Sequence, residues 1–76
     1  MKTLKEIEEE FLAFTDIIDK AVQEDDEDTF NKAWKDKADY YKDHIYNKDV
    51  KAKLLKKNPM YRFVFRAMEK AIDGME

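Results

Sequence analysis

Hydrophobic residues recur along the first third of the chain at alternating spacings of three and four positions. The positions are Leu4, Ile7, Phe11, Phe14, Ile18 and Ala21. This spacing places them on one face of a helix, and Thr3 with Glu6 has the form of a capping box at its start. The pattern predicts a helix over residues 3–23. Coiled coils have the same alternating spacing of apolar residues, but in a chain this short the spacing more commonly marks the core-facing stripe of a helix in a small bundle.

The widest apolar face in the sequence belongs to the C-terminal stretch 58–74. On a helical wheel of about 100° per residue, its apolar side chains occupy one arc of roughly 200°. They are Met60, Tyr61, Phe63, Val64, Phe65, Ala67, Met68, Ala71 and Ile72. With Asn58 as N-cap, Pro59 in the first turn and Gly74 just past the end, a helix is predicted over residues 59–73. A helix buried over so wide an arc must contact at least two other elements or a partner.

The middle of the chain predicts a second long helix, over residues 28–46. Its apolar stripe places Trp34 near the middle of the core and leaves Tyr40 and Tyr46 partly exposed. The stripe consists of Phe30, Trp34, Ala38, Tyr41 and Ile45. Asn47 is expected to close this helix in the left-handed conformation.

A short helix is predicted next, over residues 50–57, with Asp49 as its N-cap. Pro59 disfavours helical geometry at Asn58, so the short helix and the last helix should meet at a corner. The stretch 61–66 would also tolerate a strand by propensity, but the chain offers no second strand to pair with it.

Five consecutive acidic residues, 24–28, separate the first two predicted helices. An EF-hand calcium loop needs a ligand at its fifth position and a glycine at its sixth, and this stretch provides neither. The carboxylates are instead predicted to cap the second helix, where they face the positive end of the helix dipole.

The composition favours an all-α fold. The 76 residues include only one glycine and one proline, which leaves little provision for hairpin turns. Cysteine is absent, so the core depends on large side chains: five Phe, four Tyr, one Trp and four Met. We predict a single domain, residues 1–76, in which three main helices and the short helix form a small bundle.

No segment has the form of a targeting or membrane-spanning sequence. The N-terminus carries acidic residues where a signal peptide needs an apolar run, and no apolar stretch approaches the roughly 18 residues of a membrane span. The sequence therefore predicts a cytoplasmic protein without membrane contact.

Catalytic chemistry has little support in the sequence. The chain has one histidine, no cysteine, no serine and no glycine-rich phosphate loop, so the usual pairs of nucleophile and base cannot form. His44 has no carboxylate at metal-ligand spacing on its helical face. We therefore expect a protein that is not an enzyme and that uses neither a cofactor nor a metal.

The net charge of −3 conceals a strong asymmetry along the chain. Residues 1–30 hold three lysines against eleven acidic residues, whereas residues 31–76 hold twelve basic residues against seven acidic ones. Within residues 48–66 there are seven basic residues and one acidic residue. Either the acidic and basic helices lie side by side and compensate each other, or one of them forms a surface for a charged partner.

Docking on another protein is the function that these patterns favour. Several large apolar residues lie off the narrow stripes, more than so small a bundle easily buries. They are Leu12, Ile17, Tyr61, Phe65, Ile72 and Met75. Tyr61 and Phe65 are the predicted anchors, with Arg62 and Arg66 as a charged rim. An adaptor, an inhibitor or a regulatory subunit fits this description, and a homodimer formed through the first and last helices is a further alternative.

Two other binding functions stay open. Nucleic acid would be bound by the basic segment 48–66, whose short helix, corner and longer helix follow the order of a helix-turn-helix. The lysines involved would be Lys48, Lys51, Lys53, Lys56 and Lys57. Alternatively, the acidic first helix with residues 24–28 would imitate phosphate and block a basic groove on another protein.

Overall fold

The structure is a computed structural model that describes residues 2–75, with side chains as far as residue 74. Its elements are α1 (Leu4–Gln23), α2 (Glu27–Tyr40), a π-helical turn (Tyr41–Ile45), α3 (Lys48–Lys57) and α4 (Tyr61–Met75). The predicted all-α bundle is confirmed, and residues 2–75 contain no strand. α1 and α2 share the most extensive contact, while the π-helical turn touches all four helices.

α1 starts and packs as its sequence predicts. The Glu6 amide donates to the Thr3 hydroxyl at 3.2 Å and the Glu6 carboxylate accepts from the Thr3 amide, which completes the capping box. The stripe is a bundle stripe, because it packs against α2, α3 and the π-helical turn. Its buried members are Ile7, Phe11, Ile18 and Ala21, and its partly buried members are Leu4 and Phe14.

The acidic turn ends α1 and caps α2. Asp25 has a φ of 54°, and the Asp26 amide donates to the Ala21 carbonyl at 2.8 Å. With the Asp25 amide donating to Val22, this is a Schellman motif without glycine. The Asp26 carboxylate accepts from the Thr29 amide at 3.1 Å, so the predicted capping role is confirmed. α2 begins one residue earlier than predicted.

Replacing Asp25 by glycine is expected to raise the free energy of unfolding by about 0.5–1 kcal/mol. The left-handed conformation crowds the Cβ of an L residue, and glycine removes that atom. Asp25→Ala is the control, since it keeps the Cβ but loses the polar side chain, and it should be less stable than the wild type. Urea unfolding followed by circular dichroism measures both variants. A glycine variant less stable than the wild type would contradict the strain at this residue.

The second predicted helix is divided by the π-helical turn. The Tyr46 amide donates to the Tyr41 carbonyl at 2.8 Å, five residues back, which widens the last turn. Asn47 then has φ −63° and ψ 130°, an extended conformation, and its side chain accepts from the Asp49 amide at 2.9 Å. The left-handed Asn47 and the Asp49 cap were therefore wrong predictions. Asn47 caps α3 itself, which begins at Lys48 because the cap lies two residues earlier than expected.

Both predicted ends of α4 were wrong, since the helix spans Tyr61–Met75 instead of residues 59–73. The Asn58 side chain accepts from the Met60 amide at 3.1 Å, and regular α-helix begins at Tyr61 after a tight turn through Pro59. Gly74 lies inside the helix and has no positive φ, so the predicted stop at this residue is wrong. Nothing packs against Gly74, so no neighbour forces the chain to turn there.

Three aromatic rings form the centre of the core. Phe11, Tyr41 and Phe65 are all buried, with ring centroids 5.3–6.2 Å apart. Trp34 was predicted for this place, but it is only partly buried and stacks on Phe30 at 6.4 Å. Tyr41 takes the central place instead of Trp34 because it belongs to the π-helical turn, which contacts all four helices.

The peripheral tyrosines follow the sequence prediction. Tyr46 is exposed and Tyr40 is partly buried, as expected for residues off the main stripe. Among the charged residues that the structure describes, Lys37 on α2 is the buried one, and its Nζ donates to the Thr15 hydroxyl at 3.1 Å. Burial lowers the pKa of Lys37, whose ammonium also lies over the Phe11 ring of α1, 5.1 Å from its centroid.

Candidate partner-binding groove between α3 and α4

The wide apolar arc of α4 is divided between core and solvent. Its buried part is formed by Phe65, Met68 and Ile72, flanked by partly buried residues. On the other edge of the arc, Met60 is 66% exposed and Phe63 is 59% exposed. Of the described elements, α2, α3 and the π-helical turn contact α4, and they leave Met60 and Phe63 largely uncovered.

This rotation of α4 corrects the predicted anchors. Phe65 is 1% exposed and belongs to the core, so it cannot form a surface anchor in this fold. Tyr61 is partly buried, and its hydroxyl donates to Glu8 on α1 at 2.6 Å. Arg62 and Arg66 are exposed, as the predicted rim requires. Their role in binding stays a prediction.

Sequence reasoning missed Met60 and Phe63 as surface residues, although the chain carries a signal for them. Tyr61, Phe65, Met68 and Ile72 follow each other at spacings of four, three and four, which is the narrow stripe that a bundle core uses. Apolar residues outside that stripe were the better candidates for the surface.

The other apolar residues that were predicted to lie outside the narrow stripes differ in their exposure. Leu12 and Ile17 are exposed on α1, at 41% and 46%, whereas Ile72 is buried. Met75 lies outside the described side chains. Leu12 and Ile17 do not line the cavities that follow.

Two adjoining cavities form a groove between α3 and α4. The first, of about 340 Å³, is apolar and is lined by Leu55, Pro59, Met60, Arg62 and Phe63. The second, of about 180 Å³, is charged and is lined by Lys51, Leu55, Arg62, Phe65, Arg66 and Glu69. Leu55 and Arg62 belong to both walls. We call these two cavities together the α3–α4 groove.

No protein-family model matches this chain, and no curated protein or solved structure is significantly similar to it. Within residues 2–75, none of the helices has both the length and the hydrophobicity that a bilayer crossing needs. Across the same residues, no three or more potential metal ligands converge on one point.

The two arginines give the groove its positive charge. The Arg62 guanidinium lies over the Phe63 ring, 5.4 Å from its centroid. Among residues 2–75, neither Arg62 nor Arg66 forms a salt bridge. Residues four apart on a helix are neighbours on its surface, so both guanidinium groups are presented on one side of α4.

Glu69 is the acidic residue of the groove, and its charge is already compensated. Its carboxylate accepts from Lys51 Nζ at 2.7 Å and from the Tyr41 hydroxyl. The hydrogen bond from Lys51, followed by that from Tyr41, lowers the pKa of Glu69, so it stays ionised at neutral pH. Burial, with the neighbouring Glu69, raises the pKa of Tyr41. The groove therefore keeps a positive excess from its two arginines.

Two of the five lysines predicted for nucleic acid are paired with acidic side chains of the domain. Lys57 donates to Glu8 at 2.6 Å and Lys51 donates to Glu69 at 2.7 Å, so both are used within the fold. Lys48, Lys53 and Lys56 are exposed.

The acidic residues considered for phosphate mimicry are also partly used inside the domain. The Glu8 side chain is only 13% exposed and is held between α3 and α4, and Asp26 caps α2. Glu9 is exposed and has only a weak contact with Lys5, at 4.0 Å. Acidic α1 and basic α3 thus compensate each other at Glu8, as one of the two interpretations of the charge asymmetry expected.

Proposed function

We propose that this protein is a non-enzymatic interaction module of the cytoplasm that binds a protein partner in the α3–α4 groove. One observation supports the proposal above the others: Met60 and Phe63 are both more than half exposed and line the same apolar cavity. Neighbouring exposed apolar side chains beside a cavity are typical of interfaces. An adaptor, an inhibitor or a regulatory subunit would each work in this way.

The size of the expected binding contribution follows from the exposed area. Complete burial of a Phe or Met side chain is worth about 1.5–3 kcal/mol, and roughly half of that is still available at Met60 and Phe63. Arg62 beside Phe63 provides the polar edge that keeps water from such an anchor. We therefore assign Phe63 as the principal anchor and Met60 as the second.

Selection of peptides from a random displayed library against the immobilised full chain tests this proposal. Selected peptides should lose affinity by about tenfold or more on Phe63→Ala, and by a similar or smaller factor on Met60→Ala. Leu12→Ala is the matched control, because Leu12 is also exposed but lies on α1 outside the groove. It should leave affinity within about twofold. Thermal unfolding of each variant separates lost binding from lost folding.

Further measurements distinguish peptide docking from nucleic-acid binding and from a homodimer. Peptides that bind but ignore Phe63→Ala, or a library without binders, would overturn the groove as a docking site. A salt-sensitive complex with mixed-sequence duplex DNA, weakened by Lys53→Glu with Lys56→Glu, would indicate nucleic-acid binding instead. A dimer in light scattering that is abolished by Phe63→Ala would make the partner a second copy of the chain.

A further inference from the structure

We propose that the occupant of the α3–α4 groove is an acidic peptide segment that inserts one large apolar side chain beside Phe63 and presents carboxylates to Arg62 and Arg66. This inference rests on the proposed function and adds the chemistry of the partner. It follows from the order of the two cavities, from the absence of a salt bridge to either arginine within residues 2–75, and from the pairing of Glu69 with Lys51.

The order of the cavities determines the order of groups in the ligand. Arg62 lines both cavities, so this residue lies between the apolar cavity and the charged cavity. A ligand that fills both must therefore carry an apolar side chain and an anionic group close together. Arg62 and Arg66 are one helical turn apart, a spacing of about 5–6 Å between Cβ atoms. Two acidic residues one turn apart on a helical ligand match that spacing.

The arginines favour carboxylate ligands. A guanidinium offers paired donors in a plane, which match the two oxygens of a carboxylate. Within residues 2–75 no acidic side chain forms a salt bridge with either arginine. Glu69 would oppose an incoming anion, but its Oε2 already accepts from both Lys51 and Tyr41, and the Lys51 ammonium compensates its charge. The positive charge at this end of the groove is thus left for a partner.

The apolar cavity favours a protein over a nucleic acid as the source of the negative charge. Leu55, Pro59, Met60 and Phe63 present little to which a phosphate backbone could hydrogen-bond. Of the lysines on α3, Lys51 and Lys57 are held by Glu69 and Glu8. An acidic, amphipathic segment satisfies both cavities, whereas a polyanion satisfies only one.

The peptide selection described above also tests this inference. The two readouts are the composition of the selected peptides and the change in their affinity when Arg62 and Arg66 are replaced. Selected peptides should carry net negative charge and at least one large apolar residue. Their affinity should fall about tenfold or more on Arg62→Gln with Arg66→Gln, and should weaken between about 0.05 and 0.5 M salt. The matched control is Lys32→Gln with Lys35→Gln, which removes the same charge from exposed positions on α2. It should change affinity by about threefold at most.

Failure of this inference and failure of the proposed function give different results. Peptides that depend on Phe63 but are neutral or basic, or that ignore the arginine pair, would overturn the acidic partner and leave the docking site in place. Peptides that ignore both Phe63 and the arginines would overturn both. Arg62→Lys adds a finer readout: it keeps the charge but loses the paired donors, so it should weaken binding less than Arg62→Gln.

Discussion

Replacing Phe65 by alanine is expected to lower the free energy of unfolding by about 3–5 kcal/mol, because the enclosed ring would leave a cavity. The Phe65 ring lies among those of Phe11, Tyr41 and Tyr61, with centroids at 6.1, 5.3 and 5.6 Å. At typical values per residue, a chain of this length has a total stability of only about 4–11 kcal/mol. The variant should therefore unfold at much lower urea concentration, and part of it should be unfolded at 25 °C without urea.

Phe63→Ala is the matched control for Phe65→Ala. It is the same substitution on the same helix, two residues away, at a side chain that is 59% exposed. We expect a loss below about 0.5 kcal/mol. Urea unfolding followed by circular dichroism compares the two. Equal losses of unfolding free energy in the two variants would contradict the observed rotation of α4. A small loss for Phe65→Ala would mean that the Phe65 ring is not buried.

Removing Glu8 is expected to have the second largest effect on stability, about 1–2 kcal/mol for Glu8→Ala. One carboxylate on α1 accepts from Lys57 Nζ on α3 and from the Tyr61 hydroxyl on α4, each at 2.6 Å. Burial, together with Glu8, raises the pKa of Tyr61 to about 12. The effect stays below that of a fully buried charge because the Lys57 ammonium is half exposed and can return to water.

The same carboxylate makes the stability fall in acid. Hydrogen bonds from Lys57 and then from Tyr61 hold the pKa of Glu8 below its ordinary value of 4.5. Because the folded pKa is below the unfolded one, the contribution of Glu8 is complete above about pH 4.5 and is lost as the pH falls through the lowered pKa. The wild type should therefore lose stability between about pH 5 and pH 3.

Urea midpoints at neutral pH and near pH 3 measure this dependence. Glu8→Gln keeps the shape of the side chain but cannot titrate, so it should lose less stability in acid than the wild type. Glu9→Gln is the control, because its neighbouring carboxylate is exposed and only weakly paired. If Glu8→Gln and Glu9→Gln lost stability equally in acid, Glu8 would not be the group responsible.

The arrangement around Glu8 is one of three alike in the described part of the chain. In each, a glutamate accepts from one lysine and one tyrosine that come from different elements or from the N-terminal segment. The other two are Glu10 with Lys2 and Tyr40, and Glu69 with Lys51 and Tyr41. Since the pKa of each of these glutamates is lowered, all three contribute to the same acid sensitivity. The domain thus joins its helices by polar contacts as well as by its core.

Stability alone does not explain the composition of the α4 surface. A domain of this size gains nothing from leaving Met60 and Phe63 in water, whereas the neighbouring Phe65 contributes several kcal/mol to folding. The two exposed residues lie beside Arg62 and Arg66, which form no salt bridge within residues 2–75, so the proposed partner would meet both apolar surface and positive charge at this edge. This combination links the proposed docking site to the proposed chemistry of its occupant.

The parts of the fold that depend on local chemistry were predictable from the sequence. Thr3 with Glu6 fixed the start of α1, and the acidic turn capped α2, because a cap needs only a side-chain acceptor within three residues of an unsatisfied amide. Asn47 shows the limit of such reasoning, since two neighbouring residues, Asn47 and Asp49, could each act as the cap. Which of them does so depends on the conformation of the preceding π-helical turn.

The sequence by itself determined that the chain is helical, where α1 and α2 begin, and that Phe11 and Ile18 face the core, since periodicity encodes the apolar side of a helix. Only the tertiary structure decided how much of that side is covered. An apolar arc of roughly 200° fits several rotations, and the rotation of α4 depends on where α2, α3 and the π-helical turn contact it. Those contacts buried Phe65 and exposed Phe63, and they brought Leu55 of α3 beside Arg62, because side chains far apart in sequence meet only after the helices pack.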